Sequence, residues 1–278
     1  MNYHAWAEFY DAHYASTTSD EVDFYVSLAR ERGGPVLEVG VGTGRVAIAI
    51  ADLGISVTGI DLHESMLDRA RNKVDSAKLN RHLVRLFQAD MRSLSLGKKF
   101  QLVFIPARTL LLNTSVSDQL DTLAAARDHL FPGGHLVFNI YVPDAERLYH
   151  HSKTPFLSGD VIDPESGHRC LFWTLQRYNI SRQLDLSQTV VEEIASDFTI
   201  SRKVILDSEL RYLYPTEAIR LVERSGMTII EAWGSFGKTP FNENSEELIL
   251  VCGLKNTFNR LDPLSVHDPE APVHPMSD

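Results

Sequence analysis

Cysteine is scarce in this chain: Cys170 and Cys252 are the two among 278 residues. Two thiols so far apart in sequence build neither a zinc cluster nor a disulfide scaffold, so buried free thiols in a reducing compartment are expected. Long apolar runs are missing too. No stretch approaches the ~20 residues needed to span a bilayer. The start, Met1-Asn2-Tyr3-His4-Ala5-Trp6-Ala7-Glu8, lacks the cationic segment and apolar run of a secretory signal. A cytoplasmic protein without a membrane partner is the expectation. Positive charge is also in deficit, with 27 Lys and Arg against 37 Asp and Glu and a net charge of −10. Phosphate backbones are held by clustered cations, so the balance argues against nucleic acid as a general partner. His150, His151 and His168 have no short-spaced carboxylate or thiol set beside them, and no metal site is expected. No internal repeat is visible.

What the chain does have is size and a glycine turn. At 278 residues with 44% hydrophobic content, it can bury one large core, or a core with a small subdomain. Val36-Leu37-Glu38-Val39-Gly40-Val41-Gly42-Thr43-Gly44 reads as an apolar strand running into a tight turn, followed by a helical pattern and by Val57-Thr58-Gly59-Ile60-Asp61. A strand, a glycine turn, a helix and a second strand ending in a carboxylate make the start of a nucleoside-cofactor site. Glycines at 40, 42 and 44 let a ligand approach the backbone where a β-carbon would obstruct it. A dinucleotide site wants its third glycine at position 45, where this chain has Arg45, whose bulk should obstruct close packing of helix on strand. Glu38 also places a carboxylate where a pyrophosphate would be repelled. The turn therefore suits a cationic ligand end, and S-adenosylmethionine fits: its ammonium can meet carboxylate and backbone acceptors, and its ribose diol can chelate Asp61.

With Glu38, Gly40, Gly42, Gly44 and Asp61 in this register, the sequence resembles the class I S-adenosylmethionine-dependent methyltransferases. The resemblance continues through Gln88-Ala89-Asp90-Met91, through Phe100 to Pro106 as a fourth strand, and through Leu130 to Phe138 as the entry to a fifth. It implies an α/β fold: a doubly wound, seven-stranded, mostly parallel sheet of Rossmann-like type with an antiparallel β insertion after strand five. Glu38, Gly40, Gly42 and Gly44 would frame the methionyl end and Asp61 the ribose. Asp90 and Met91 would hold the adenine, with Leu62 and Met66 also at the cofactor. Tyr10-Asp11-Ala12-His13-Tyr14 precedes the helix expected at 19–32, and in the family such a segment closes over the cofactor. Tyr10 and Tyr14 are therefore expected at the methionyl end or the methyl, with an aromatic staple as the plainer alternative. His13 is expected to be an exposed helix residue.

Periodicity organises the rest. Helical patterns are expected near 19–32, after Gly44, at 63–77, 117–130 and 215–225, alternating with strands as in a parallel doubly wound sheet. Residues 169–178, 184–194 and 199–210 read as long strands separated by turns, and 228–233 and 247–252 as the last two. The expected division is a helical cap at 1–33, a cofactor-binding core at 34–142 and 213–255, an insertion over the substrate site at 143–212, and a poorly ordered tail at 256–278.

Methyl transfer asks for positioning above all, because the sulfonium is already a good leaving group. The chemistry does not require a base, and Tyr14 and His150 are the catalytic candidates. Arg108, beyond the fourth strand, could grip a carboxylate through its planar fork. Tyr141 and Tyr214, with Trp173, Tyr178 and Tyr212, could wall a substrate pocket. The insertion resembles that of small-molecule N-methyltransferases acting on glycine or amino sugars. The expected activity is methylation of an N or O atom of a small-molecule acceptor by a monomer or homodimer. Three alternatives stand beside it: a rearrangement or cyclisation that uses the same cofactor, a non-catalytic nucleoside-binding protein, and a nicotinamide-linked oxidoreductase.

Overall fold

The computed structural model describes residues 3–14, 19–77, 82–144, 148, 154–163 and 165–255. The expected tail at 256–278 and the histidines at 150 and 151 lie outside the described residues. Two helices come first, α1 (Tyr3–Tyr14) and α2 (Ser19–Arg32). Alternating elements follow: β1 (Val36–Val39), α3 (Arg45–Ala51), β2 (Val57–Asp61), α4 (Glu64–Ser76), β3 (Val84–Gln88), β4 (Phe100–Ile105), α5 (Val116–Asp128) and β5 (Leu130–Tyr141). Four long strands come next, β6 (Phe156–Ile162), β7 (Arg169–Asn179), β8 (Leu184–Ile194) and β9 (Ile200–Arg211). The chain closes with α6 (Pro215–Arg224), β10 (Met227–Trp233) and β11 (Glu247–Leu254).

Local chemistry accounts for the helix boundaries. In α2 the acids Asp20 and Glu21 sit in the first turn and Arg30 and Arg32 in the last, complementing the helix dipole. Ser115 caps α5 by accepting from the Asp118 amide at 3.1 Å, satisfying one of its unpaired N–H groups. Pro215 opens α6 and Gly226 ends it with φ of +85°, where only glycine is free of strain.

Seven strands form one sheet in the order β10-β11-β5-β4-β1-β2-β3. The central strands are parallel and β11 enters antiparallel between β5 and β10. Helices cover both faces, so β1 is buried along its whole length and reads as continuous apolar sequence. One face packs Val103, Phe138 and Leu250 under α5 and α6. The other packs Leu102, Phe104 and Val251 under α2 and α3. Leu37 is fully buried in the first of these cores, and Leu37→Ala is expected to cost about 2–5 kcal/mol of stability. The shift in urea midpoint at unchanged slope would measure it.

The second sheet is antiparallel, in the order β6-β7-β8-β9. Three of its strands match the expected ones; β6 is an addition. Its segment Phe156-Leu157-Ser158-Gly159-Asp160-Val161-Ile162 carries Gly and Asp at its middle and shifts register against β7 between Leu157 and Gly159. An edge strand broken in this way has no clean alternation to read. Phe9 and Ala12 of α1 pack on Cys170, Phe172, Val191 and Leu206 of this sheet. The Tyr10–Tyr14 segment is thus the last part of a helix rather than a lead-in to one. His13 is half-buried against Trp6, Tyr14 and Phe172, which corrects the exposed position expected for it.

Candidate active site

Past β1 the chain turns on three glycines with positive φ: Gly40 at +78°, Gly42 at +53° and Gly44 at +82°. The amides of Gly40 and Val41 both donate to the Ile60 carbonyl, at 2.9 and 2.8 Å, which folds the turn against the end of β2. A β-carbon on Gly40 would lie 2.4 Å from Cγ2 of Thr109, whereas one on Gly42 would meet nothing closer than the Tyr10 ring at 3.9 Å. Gly42 thus faces the Tyr10 ring at ordinary van der Waals distance. Gly44 faces Ala70 and Ile48, so its place is in the packing of the turn on α4 rather than on a ligand.

Asp61 is the organising carboxylate. Oδ2 accepts from the Gly42 amide and Oδ1 from the His63 amide, each at 2.9 Å. Burial raises its pKa while these two amides pull it back down. Asp61, Leu62, Met66, Asp90 and Met91 line a cavity of about 370 Å³ together with Tyr10, Gly40 and Gly42. The expected cofactor residues that converge here are therefore these eight. Glu38 lies beneath the turn, 2% exposed, with Oε2 buried and without a hydrogen-bond partner among the described residues. Desolvation holds its carboxyl well above the usual range, against the pull of Arg45. Asp90 is gripped by Arg92, which donates from its backbone amide at 2.9 Å and from Nη2 at 2.5 Å and lowers its pKa.

Arg45 does not crowd the turn. It leaves α3 towards α2, pairs with the buried Glu21 at 3.0 Å and lies 5.8 Å from the Tyr14 ring centre. That outward path removes the steric objection to a residue larger than glycine at this position. Two carboxylates that the sequence reading passed over fasten the helical segments to the turn. Asp11 accepts from Thr43 Oγ1 at 2.7 Å and pairs with Lys73 at 2.6 Å. Glu21 also accepts from the Ala107 amide at 2.7 Å. Asp11 lies beside Tyr10, and that adjacency was the one available signal; nothing local marks Glu21.

A larger cavity of about 780 Å³ lies between α1, the ends of β4 and β5, and the inner face of the second sheet. Tyr10, Met66, Thr109 and Leu112 line both cavities, so the two share a wall. Tyr14, Arg108, Tyr141 and Tyr178 line the larger one. Tyr10 and Tyr14 lie tilted against each other by 42°, with 4.6 Å between ring centres. Arg108 donates from Nε to Oε1 of Glu247 at 2.8 Å and lies 5.3 Å from the Tyr141 ring centre. Ala107 and Arg108 both have positive φ, 53° and 59°, a cost of order 1–3 kcal/mol each that structures retain chiefly at functional sites.

The second sheet turns an unusual face inward. Thr174 and Gln176 of β7 and Asp185, Ser187 and Thr189 of β8 line the cavity. Ser158, Thr174 and Thr189 form a hydroxyl ladder with contacts of 2.7 and 3.0 Å. Strict alternation sends Trp173 to the opposite face, where its indole N–H donates to Glu192 at 3.1 Å; it does not wall the pocket. Tyr214 is a further correction. It stands at the N-terminus of α6, 43% exposed and edge-on to Tyr212, and it is absent from both cavity linings. Tyr212 is fully buried.

Asp185 was missed by sequence reasoning. Its Oδ2 accepts from Gln176 Nε2 at 2.8 Å and from the Tyr141 hydroxyl at 3.3 Å. Burial pushes the carboxyl up to about 6, against the hydrogen bonds of Gln176 and Tyr141 and the charge of Arg108. Removing that charge with Arg108→Ala is therefore expected to move the Asp185 titration further up, read from the side-chain carboxyl ¹³C shift; a downward move would contradict this placement of the two groups.

No group of three or more His, Cys, Asp or Glu able to hold a metal ion occurs among the described residues, and none of the helices described is long and apolar enough to cross a membrane. A methyltransferase domain model matches residues 36–134. The putative methyltransferase YqeM of Bacillus subtilis is 30% identical over 142 residues, which cover 51% of this chain and 56% of that protein. The chain thus spans little more than half the length of that relative. The CcbJ methyltransferase of Streptomyces caelestis superposes with a TM-score of 0.72 at 26% identity, over 85% of this chain and 96% of that one. SAM-bound CalS10, an amino pentose methyltransferase from Micromonospora echinaspora, superposes with a TM-score of 0.62 at 20% identity, over 84% of this chain and 89% of that one. This last is a likeness of fold.

Proposed function

We propose that this chain, whose residues 36–134 match a methyltransferase domain model and whose fold is that of the CcbJ methyltransferase, transfers the methyl group of S-adenosylmethionine to the nitrogen of a small, hydroxylated amine. The observation that carries this reading is the charge of the larger cavity. Asp144, Asp185, Glu243 and Glu246 line it, and Arg108, the one Lys or Arg among its described lining residues, is already paired with Glu247. Such a wall favours a cation and repels a carboxylate. The hydroxyl ladder of the second sheet suits an acceptor that carries hydroxyls of its own, and the amino pentose substrate named for CalS10 is of that kind.

The smaller cavity fits the cofactor on the chain's own geometry. Gly40, Gly42 and Asp61 line an apolar slot, and the Glu38 carboxyl beneath the turn holds an unpartnered oxygen. Asp61 would take the ribose, Leu62 and Met91 the adenine, and Glu38 with Gly40 the methionyl end. When bound, the cofactor would supply an electrophilic methyl group on a sulfonium that is already a good leaving group. The protein's part is placement. Tyr10, Met66 and Thr109 form the boundary across which the acceptor nitrogen must be held in line, about 3 Å from the reacting carbon. The α1 helix, fastened through Asp11 to Thr43 and Lys73, covers that boundary with Tyr10.

The reading is tested by mixing the protein and S-adenosylmethionine with hydroxylated primary amines and with the matching alcohols, and weighing the products. A methyl gained by an amine is the expected result. A methyl gained by the alcohols alone would move the assignment to oxygen. Cofactor binding with no mass gained in either series would favour rearrangement or a binding role.

A further inference from the structure

Among the groups around the larger cavity, Asp185 has an arrangement that its neighbours do not explain. The residue is 6% exposed. Oδ2 is satisfied by Gln176 and Tyr141, while Oδ1 is buried with no hydrogen-bond partner among the described residues. A buried carboxylate half-satisfied in this way is costly unless a ligand completes it. The flanking groups hold it in place but do not neutralise it. Gln176 reaches it from β7 and Tyr141 from β5, while β9 sets Leu210 opposite it in register and places Ser208 in the same wall. Tyr178 of β7 lies among the same titratable groups, and Arg108 acts on it only at a distance, being committed to Glu247.

We propose that Asp185 is the acceptor-binding carboxylate of this enzyme: Oδ1 receives the ammonium of the substrate and takes its proton. The inference rests on the amine reading above and names the residue that would enact it. The proton passes from the ammonium nitrogen to Oδ1, leaving a neutral amine whose lone pair can form the new carbon–nitrogen bond. The alkylated product carries one positive charge, and Asp185 returns its proton to solvent. Tyr141 and Gln176 are positioning residues in this scheme, since each fixes Oδ2 and so turns Oδ1 to the ligand. A carboxylate held above its ordinary range is better matched to this task than an exposed one.

The probe is glucosamine, with glucose as its neutral counterpart, titrated into the full chain saturated with S-adenosylhomocysteine. In the wild type we expect glucosamine to bind at least about tenfold more tightly than glucose, the scale of one hydrogen bond to a charged group. Asp185→Asn, nearly identical in shape, should abolish that preference while leaving S-adenosylhomocysteine affinity unchanged and the melting temperature no lower. A second measurement needs no variant. Glucosamine should lower the midpoint of the Asp185 carboxyl from about 6, because a bound cation favours the ionised form, and glucose should not move it. Equal binding of the two sugars by the wild type, a preference that survives in Asp185→Asn, or a carboxyl midpoint indifferent to glucosamine would each overturn the assignment. The two readings fail separately: a methylated amine made equally well by Asp185→Asn removes Asp185 and keeps the function. Amine binding that depends on Asp185, with no methylation of any hydroxylated amine, keeps the site and removes the function.

Discussion

Gly40→Ala is expected to cost both stability and cofactor binding, and more of each than the same change two residues on. The backbone at Gly40 has φ of +78°, and an added β-carbon would lie 2.4 Å from Cγ2 of Thr109. The φ alone costs an L-residue about 1–2 kcal/mol. The contact cannot be relieved by swinging a long side chain away, because Thr109 is short, β-branched and 9% exposed. Overpacking of that kind costs a further 1–3 kcal/mol or so. Against a total stability of about 5–15 kcal/mol, the sum should appear plainly in the urea midpoint. Thr109 is also part of the wall between the two cavities, so whatever movement relieves the clash displaces the boundary where methyl transfer is proposed. Gly42→Ala is the informative contrast. Its φ of +53° carries the same backbone cost, but no atom lies closer than 3.9 Å to the added carbon. It should fold with the smaller loss and still bind S-adenosylhomocysteine poorly, because the new methyl stands in the space the ligand would use. Equal stability of the two variants would mean that the Thr109 contact is not the constraint described here.

That contrast shows which parts of this molecule can be read from its sequence. The glycine turn and Asp61 are legible because the whole device is local: a strand, a turn and the end of the next strand, joined by hydrogen bonds from Gly42 and His63 to one carboxylate. The central sheet is legible for a related reason, since strands covered on both faces are apolar throughout, and α2 and α6 are stopped by Gly33 and Gly226. The acceptor side is not local. Whether Asp185 faces the cavity depends on the register of β8 against β7 and on how β5 approaches both. No window of sequence carries that information. A weak signal existed in β7, where Leu171, Trp173 and Leu175 alternate with Phe172, Thr174 and Gln176. The apolar set that period two would turn inward is the one facing out, and the face with Thr174 and Gln176 closes on the cavity. Tyr214 failed as a pocket residue because the chain leaves β9 and enters α6 through it, and the direction of that turn is set by Pro215 and the burial of Tyr212 rather than by the aromatic itself.

Asp61→Ala carries the largest expected effect on binding with the smallest change elsewhere. The carboxylate accepts two backbone amides, one on the turn and one at the cap of α4, and it stands at the rim of the smaller cavity. Deleting it removes a charged acceptor for the ribose diol, worth about 1–3 kcal/mol. It also frees the Gly42 amide, so the turn must be ordered again whenever ligand binds. S-adenosylhomocysteine affinity by calorimetry should therefore fall by at least tenfold, with a reduced favourable enthalpy. Asp61→Asn separates the two contributions. Its amide oxygen can accept one N–H, but its NH₂ group then faces the other N–H, so the turn is disturbed although the shape is kept. The pH dependence has a definite sign. Burial raises the Asp61 pKa in the folded chain, and ribose hydroxyls donate to the ionised form, so wild-type affinity should fall on acidification while the carboxylates of an unfolded chain would still be charged. In Asp61→Ala that part of the pH dependence should vanish. Wild-type affinity in Asp61→Ala would separate this carboxylate from the nucleoside, and with it the register of the whole cofactor site.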